Sequence, residues 1–172
     1  GQIASCRLQG QVVRADGATA KVDWSAFARF DVTREEMTFE RDGITIGATL
    51  VRPVANLAVP AVVVLHGGGD SSRADSPPYV FWGDYLARRG FAVLLYDKRG
   101  NGASSGDWRS VGFDPRADDV VSIVEALSQH PGIDSSRVGL LAVSQGGWIS
   151  ALAASHSTSI AFVVNISSPA VP

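Results

Sequence analysis

Four runs dominated by apolar residues limit what this chain can fold into more than any other feature of its sequence. They lie at residues 61–65, 91–96, 138–143 and 160–166. Alternating polar and apolar residues mark strands with one face in water, whereas continuous apolar runs of strand length fit strands buried on both faces of a sheet. We therefore predict a buried sheet at the centre of the fold.

Stretches with helical spacing separate these runs. Apolar side chains recur at helical intervals in residues 79–89, which Gly90 follows as a C-terminal cap, and in residues 115–129, where Pro115 suits a first turn. Residues 149–154 are good helix formers and follow the third apolar run. Such alternation of strand and helix is typical of an α/β protein with a mostly parallel sheet flanked by helices.

The residues before the first apolar run have a different pattern. Short β-like stretches occupy residues 11–14, 35–40 and 44–52, and Asp42-Gly43 stands between the last two. Asp-Gly is a preferred pair for the tight turn of a β-hairpin. We therefore predict an antiparallel edge on the N-terminal side of the sheet.

Charge and composition exclude several classes of function. Fifteen Lys and Arg against seventeen Asp and Glu give a net charge of −2, with no block of like charge, so we expect no nucleic acid partner. No stretch reaches the ~20 apolar residues that span a bilayer, so we expect no membrane span. Cys6 is the single cysteine, which excludes an internal disulfide and leaves the cytoplasm and an exported location both open.

A serine stands where the third apolar run meets the following helix. Ser144 directly follows residues 138–143, and Gly146 comes two positions later. A sharp turn at such a junction projects the hydroxyl above the sheet, and the helix dipole favours a developing oxyanion. The motif expected for such a nucleophile is Gly-x-Ser-x-Gly, and here Ala142 replaces its first glycine. Ser144 is a candidate nucleophile, the alternative being a serine that only caps a helix.

Three glycines follow the first apolar run. Gly67, Gly68 and Gly69 come after His66, at the carboxyl end of a predicted central strand, where open α/β sheets place their ligand sites. Glycines leave backbone N–H groups uncovered, as an oxyanion hole requires. The segment is therefore a candidate oxyanion hole, although an ordinary flexible loop would have the same composition.

A further glycine-containing segment, residues 96–106, follows the second apolar run. Its glycines do not have the spacing of a dinucleotide-binding fingerprint. We expect Asp97, Lys98 and Arg99 to hold this loop by charge-assisted hydrogen bonds. Neither a Gly-x-x-x-x-Gly-Lys-Ser/Thr phosphate loop nor a His-Glu-x-x-His motif occurs, so we expect neither a cofactor nor a metal.

Taken together, residues 66–69, 96–106 and 144–148 resemble the motifs of the α/β-hydrolase superfamily. The likeness is greatest to bacterial esterases and to dienelactone-hydrolase-like or serine-aminopeptidase-like enzymes. The resemblance covers residues 35–172 and implies the α/β-hydrolase fold for them, with residues 1–34 as an N-terminal extension.

The resemblance also implies roles at the site. Ser144 would attack an ester or amide carbonyl, and the backbone N–H groups of Gln145 and of one loop glycine, which we take as Gly68, would bind the oxyanion. Gly67 and Gly69 would line the substrate site. We expect a serine hydrolase that cleaves small-molecule carboxylic esters through an acyl-enzyme. A peptidase or amidase of the same fold and a non-catalytic binding domain are the alternatives.

The acid and the histidine that the superfamily places after its serine have no evident counterparts. Residues 145–172 contain no Asp or Glu, and His156 would lie about 18 Å along the helix. His130 is expected at the opposite edge of the sheet, and His66 is expected to fix the glycine loop. We therefore expect a hydrolase domain incomplete on its C-terminal side, inactive by itself and completed by a further segment or a second chain, with residues 160–166 as an uncovered sheet edge.

Overall fold

In the computed structural model the described residues are 7–13, 19–25, 30–74 and 76–168. They form eight strands and three helices. The strands are β1 (Arg7–Val13), β2 (Thr19–Ser25), β3 (Val32–Arg41), β4 (Ile44–Pro53), β5 (Val59–Leu65), β6 (Ala92–Tyr96), β7 (Ile133–Val143) and β8 (Phe162–Ile166). The helices are α1 (Pro77–Ala87), α2 (Phe113–Ser128) and α3 (Gly146–His156). None of these described helices is long and apolar enough to cross a membrane.

Six of the described strands form one sheet in the order β3-β4-β6-β5-β7-β8, while β1 and β2 pair with each other in a separate antiparallel sheet. Strands β5, β6, β7 and β8 run parallel, and β3 and β4 form the antiparallel edge. The arrangement confirms the predicted α/β class with a mostly parallel sheet and an antiparallel N-terminal edge. Strand β2 lies where the sequence pattern predicts no strand.

The hairpin between β3 and β4 has the tight turn that its sequence predicts. Arg41 pairs with Ile44 across the turn. Between them, Asp42 and Gly43 have left-handed backbone conformations, with φ of 48° and 75°. Positive φ at both central residues is the requirement of a type I′ turn, which Asp-Gly meets at low cost. The turn sets the register of the antiparallel edge.

Both faces of the central strands are buried, which explains the continuous apolar runs. In β5, Val63 and Leu65 belong to the cluster packed under α2 and α3, whereas Val62 and Val64 belong to the cluster under α1. Successive side chains of a strand point to opposite faces of the sheet. A strand covered by helices on both sides therefore needs an apolar residue at every position.

Helices α1 and α2 lie at the predicted places but begin earlier than predicted. Pro77 and Pro78 occupy the first positions of α1, where a missing N–H leaves no helical hydrogen bond unmade. Pro115 likewise lies in the first turn of α2. Helix α1 ends at Ala87, and Gly90 beyond it has a φ of 93°, so the chain turns into β6 through the glycine that the sequence indicates.

The pairing of β5 with β7 brings two loops together. The two strands run parallel, with Leu65 opposite Ala142. The residues that follow each strand therefore emerge side by side at the carboxyl edge of the sheet. Strand β6 lies on the other side of β5, so this edge lies where the order of strands reverses, the usual place for ligands in open α/β sheets.

The described sheet ends at β8, beside an apolar groove of about 360 Å³. Val164 and Ile166 of β8 are 46% and 37% exposed along this groove, and Trp82 of α1 forms the opposite wall. Phe162 and Val163 are partly buried against the two core clusters. Strand β8 is therefore the expected edge of the described sheet along its whole length, but only its second half leaves apolar side chains uncovered, because the first residues of the strand pack inward.

Gly139 of β7 leaves the space that the Phe162 ring occupies, since a Cβ there would overlap the ring. We expect Gly139→Ala to lower the free energy of unfolding of the intact protein by about 1–3 kcal/mol, because the ring or the strand must shift. Gly112→Ala is the control, since its Cβ would meet no atom within 4 Å, and it should cost about 1 kcal/mol or less. Urea unfolding measures both. Equal stability of wild type and Gly139→Ala would contradict this packing.

Candidate active site

The turn between β7 and α3 holds Ser144 in a strained backbone conformation. Its φ is 50°, in the left-handed region that costs a residue with a Cβ roughly 1–2 kcal/mol. The Ser144 N–H donates to the Ile166 carbonyl at 3.0 Å, and the Gly147 N–H donates to the Ser144 carbonyl at 2.9 Å. The Ser144 side chain is exposed. The structure thus places Ser144 at a sharp strand-to-helix turn with its side chain open to a ligand.

Two glycines allow this turn to lie against neighbouring elements. A Cβ on Gly146 would come within 2.8 Å of the His66 carbonyl oxygen and 3.1 Å of the Leu65 carbonyl oxygen. A Cβ on Gly147 would overlap Ser168, which follows β8. Gly146 therefore lets the start of α3 pack directly on the end of β5, where the next part of the site begins.

The glycine loop, residues 66–69, lies beside Ser144. A Cβ on Gly67 would be 3.5 Å from the Ser144 Cβ. The Gly67 N–H donates to Tyr79 Oη at 3.0 Å, so this donor is already used. The N–H groups of the other two glycines have no acceptor among the described residues. A Cβ on Gly68 would meet no atom within 4 Å, so the Gly68 backbone borders open space.

Gln145 contributes the second predicted donor. It is the N-cap of α3, with a φ of −52° and a ψ of −31°, and its backbone N–H has no acceptor in the described part of the chain. Unsatisfied N–H groups and the macrodipole favour negative charge at a helix N-terminus. The Gln145 side chain is held elsewhere, because Arg116 Nη2 donates to its Oε1 at 2.9 Å. The backbone N–H of Gln145 can therefore bind a ligand oxygen.

His66 is a packing residue of the glycine loop. It is 2% exposed, and its ring meets the rings of Tyr79 and Tyr96 edge-on, at centroid distances of 4.9 and 4.8 Å. Burial, and then the charges of Lys98 and Arg116, lower the pKa of His66 to about 3. The imidazole is therefore neutral at physiological pH and fixed between two tyrosines.

The other two histidines are bonded to carboxylates away from Ser144. His130 Nε2 lies 3.3 Å from Glu35 Oε2, and the residue precedes β7, at the opposite edge of the sheet. His156 Nδ1 lies 3.0 Å from Asp118 Oδ1, at the far end of α3. No histidine in the described ranges hydrogen-bonds to the Ser144 hydroxyl.

The loop after β6 is held by charge-assisted hydrogen bonds, as predicted. The buried Asp97 carboxylate accepts the Arg73 N–H at 2.7 Å and the Ala103 N–H at 2.8 Å, and it pairs with the Arg73 guanidinium at 2.5 Å. Arg99 donates twice to Asp119, at 2.6 Å each. These contacts fix the backbone on both sides of Lys98.

Lys98 itself contacts the glycine loop. Its Nζ donates to the Gly67 carbonyl at 2.6 Å and to the Gly69 carbonyl at 2.7 Å. Burial, and then the charge of Arg116, lower the pKa of Lys98 to about 8. The side chain also lies 4.6 Å from the centroid of the Trp108 ring. The Lys98 ammonium group therefore holds the glycine loop through two of its carbonyl groups.

A groove of about 320 Å³ opens beside the glycine loop. Tyr79, Trp82 and Val143 give it an apolar wall, and Asp70 and Ser71 give it a polar rim. The Asp70 carboxylate is already occupied, because Trp108 Nε1 donates to it at 2.9 Å and Arg109 Nη2 at 2.6 Å. These hydrogen bonds lower the pKa of Asp70. The groove can hold the remainder of a substrate whose carbonyl lies at the loop.

Tyr79 and Arg116 contact the site but are absent from the residues that the sequence predicts for it. Tyr79 reaches Gly67 from α1, and Arg116 reaches Gln145 from α2. The two helices are evident from apolar spacing, but the spacing does not tell which of their residues face the carboxyl edge of the sheet. No group of three or more metal-ligating side chains occurs in the described part of the chain.

Comparison with known proteins gives several matches of similar extent. The family described as X-Pro dipeptidyl-peptidase (S15 family) matches residues 42–170. The thiohydrolase aneE of Aspergillus aculeatus is 30% identical over 127 residues, which cover 73% of this chain and 38% of that protein. A hypothetical protein of Pseudomonas aeruginosa superposes with a TM-score of 0.71 at 26% identity, covering 80% of this chain and 43% of the other. An esterase of Pyrococcus furiosus superposes with a TM-score of 0.66 at 27% identity, covering 81% and 50%.

The chain thus spans half or less of the length of these three relatives. The matched region contains the large sheet from β4 onward and both loops of the site. Solved α/β hydrolases share the fold, which confirms the resemblance noted from the three motifs. This chain therefore belongs to the X-Pro dipeptidyl-peptidase (S15) family and has the α/β-hydrolase fold.

Proposed function

We propose that this chain carries the nucleophile and the oxyanion hole of a hydrolase that cleaves small-molecule carboxylic esters. One observation supports the proposal above all others. Ser144, at a φ of 50°, adjoins a glycine loop whose Gly68 N–H has no acceptor among the described residues. Left-handed strain at a serine persists where the surrounding structure enforces it, and such strain is concentrated at functional sites.

The reaction proceeds in two steps through an acyl-enzyme. Ser144 Oγ bonds to the ester carbonyl carbon while a base takes its proton, and the oxyanion accepts hydrogen bonds from the N–H groups of Gln145 and Gly68. Collapse breaks the bond to the leaving oxygen, which departs as the alcohol with the proton from the base. Water then attacks the acyl carbon in the same way and releases the carboxylic acid and free Ser144.

The base and its acid partner belong, in this proposal, to residues outside the described ranges, in a further segment of the protein or in a second chain. His66 is neutral and packed between two tyrosines, and His130 and His156 are bonded to carboxylates elsewhere. A serine hydroxyl without a base is a poor nucleophile. The 172 residues alone would therefore turn over little substrate.

Ester cleavage is favoured over peptide cleavage by the groove beside the glycine loop. A dipeptidyl-peptidase must recognise a chain terminus, and a free carboxylate is the natural partner of its ammonium group. Asp70 lines the groove, but Trp108 and Arg109 already occupy its oxygens. The names of the thiohydrolase and the esterase agree with an acyl-ester substrate, and the family description keeps a peptidase or amidase as the second candidate.

Replacing Ser144 by alanine in the intact protein should abolish labelling by a fluorophosphonate probe, because the probe reacts with an activated serine. The fold should survive, since the side chain is exposed. Ser155→Ala removes another exposed serine hydroxyl, on α3, and should keep full labelling. Gel fluorescence measures both, and labelling that persists in Ser144→Ala would place the nucleophile elsewhere.

Gly68→Pro should reduce kcat about 10²–10³-fold, because proline removes one N–H donor to the oxyanion. Gly68→Ala is the matched control. It keeps the N–H and adds a Cβ that would meet no atom within 4 Å, so its kcat should stay within about tenfold of wild type. Steady-state hydrolysis of a short acyl ester gives both values. A loss below tenfold in Gly68→Pro would remove the glycine loop from the oxyanion hole.

The intact protein should hydrolyse a short acyl ester with a kcat/KM at least about tenfold above that for an aminoacyl amide of similar size. Both reactions should disappear in Ser144→Ala. If the intact protein cleaves the amide faster than the ester, and Asp70→Asn lowers the rate of amide cleavage, the peptidase would be favoured. Absence of Ser144-dependent hydrolysis of either substrate would favour a non-catalytic binding domain.

A further inference from the structure

Lys98 is a buried cation that contacts neutral groups instead of a carboxylate. It follows β6 and is 4% exposed, and its Nζ donates to the carbonyl oxygens of Gly67 and Gly69. Its neighbour Arg99 pairs with Asp119, whereas Lys98 forms no ion pair with any residue in the described ranges. Burial of an ammonium without a counter-ion is unfavourable. A lysine buried in this way points to a role for its two contacts with the glycine loop.

The hydrogen bond to Gly67 controls the direction of the Gly68 N–H. In a trans peptide, the N–H of one residue points opposite to the C=O of the residue before it, and the described residues contain no cis peptide. A Gly67 carbonyl that faces Lys98 therefore turns the Gly68 N–H away from the ammonium. The flipped peptide would aim this N–H at a group that has donors only. Peptides between glycines flip readily, and Lys98 selects one orientation.

We propose that Lys98 is a positioning residue for the oxyanion hole, holding the Gly67–Gly68 peptide in the orientation that presents the Gly68 N–H to the oxyanion. The inference rests on the proposed function, because it requires Gly68 to be a donor. Tyr79 fixes the preceding peptide, His66–Gly67, since its Oη accepts the Gly67 N–H at 3.0 Å. The Lys98 N–H also donates to the Ser71 carbonyl at 3.2 Å, which ties the segment just after the glycine loop to the residues just after β6.

Charged groups from several elements face the Lys98 ammonium. Arg116 of α2 and Arg109 repel it, and Asp70 attracts it. His66, at the end of β5, is neutral because its pKa is about 3. Burial is the largest cause, and together with the two arginines it outweighs Asp70 and lowers the pKa of Lys98 to about 8. Lys98 is charged below that pH and neutral above it, so its hold on the carbonyls weakens as the pH rises.

The test compares the pH dependence of ester hydrolysis in the intact wild type and three variants. Lys98→Met keeps a long side chain without donors, and Lys98→Arg keeps a cation that stays protonated far above pH 8. Arg99→Met is the matched control, because it removes the adjacent buried cation, which bonds to Asp119 and not to the glycine loop. Thermal unfolding of each variant monitors stability separately.

We expect Lys98→Met to lower kcat about 10–100-fold and to change KM less than about threefold, because a misdirected donor loses part of the stabilisation of the transition state. Wild-type kcat should fall as the pH rises through about 8. The fall should be absent in Lys98→Met and displaced to higher pH in Lys98→Arg. Arg99→Met should unfold at a lower temperature and keep the wild-type pH profile, since a purely structural loss does not move that profile.

A kcat of Lys98→Met equal to that of the wild type would overturn the inference. So would a wild-type kcat that does not fall between about pH 7 and pH 9. Ser144-dependent hydrolysis under the same conditions would leave the proposed function standing. Hydrolysis that persists in Ser144→Ala would instead overturn the proposed function. If Lys98→Met does not fold, the profiles of wild type and Lys98→Arg decide, and identical profiles count against Lys98.

Discussion

The parallel pairing of β5 with β7 is the constraint on which the rest of the site depends. Leu65 lies opposite Ala142, so the glycine loop and the Ser144 turn leave the sheet at the same level. Gly146 then allows α3 to begin close to the end of β5. A Cβ at this position would lie only 2.8 Å from the His66 carbonyl oxygen. A shift of one residue in this register would move side chains of one strand from the cluster under α1 to the cluster under α2 and α3, and it would misalign the two loops. The register of the sheet thereby sets the position of Ser144 relative to the glycine loop.

Polar contacts then hold the two loops that the sheet brings together. Asp97 and Arg99 anchor the loop after β6 through buried ion pairs, and this loop carries Lys98 under the glycine loop. Ser144 is tied to β8 through the Ile166 carbonyl, so the strand at the edge of the described sheet also supports the turn at Ser144. The donors of an oxyanion hole act by being oriented before reaction, and in the proposed site these contacts would supply that orientation.

Much of the fold follows from the sequence because its signals are local. The apolar runs predict the central strands, Asp42-Gly43 predicts the hairpin, and the residues around Ser144 predict the turn after β7. Contacts that depend on tertiary packing cannot be predicted from such local patterns. Neither the bond from Gly67 to Tyr79 nor the inward packing of Phe162 follows from spacing, because each depends on how an element docks. The boundary between residues 34 and 35 and the roles of the site residues stay predictions.

The most direct test of the central claim is a crystal structure of the intact protein after reaction with a phosphonate ester. We expect a covalent bond from phosphorus to Ser144 Oγ. We also expect one phosphonyl oxygen about 2.7–3.1 Å from the backbone nitrogens of both Gly68 and Gln145, which is the distance range of oxyanion-hole donors. An adduct on another residue would contradict the account. So would a Ser144 adduct whose oxygens contact neither nitrogen.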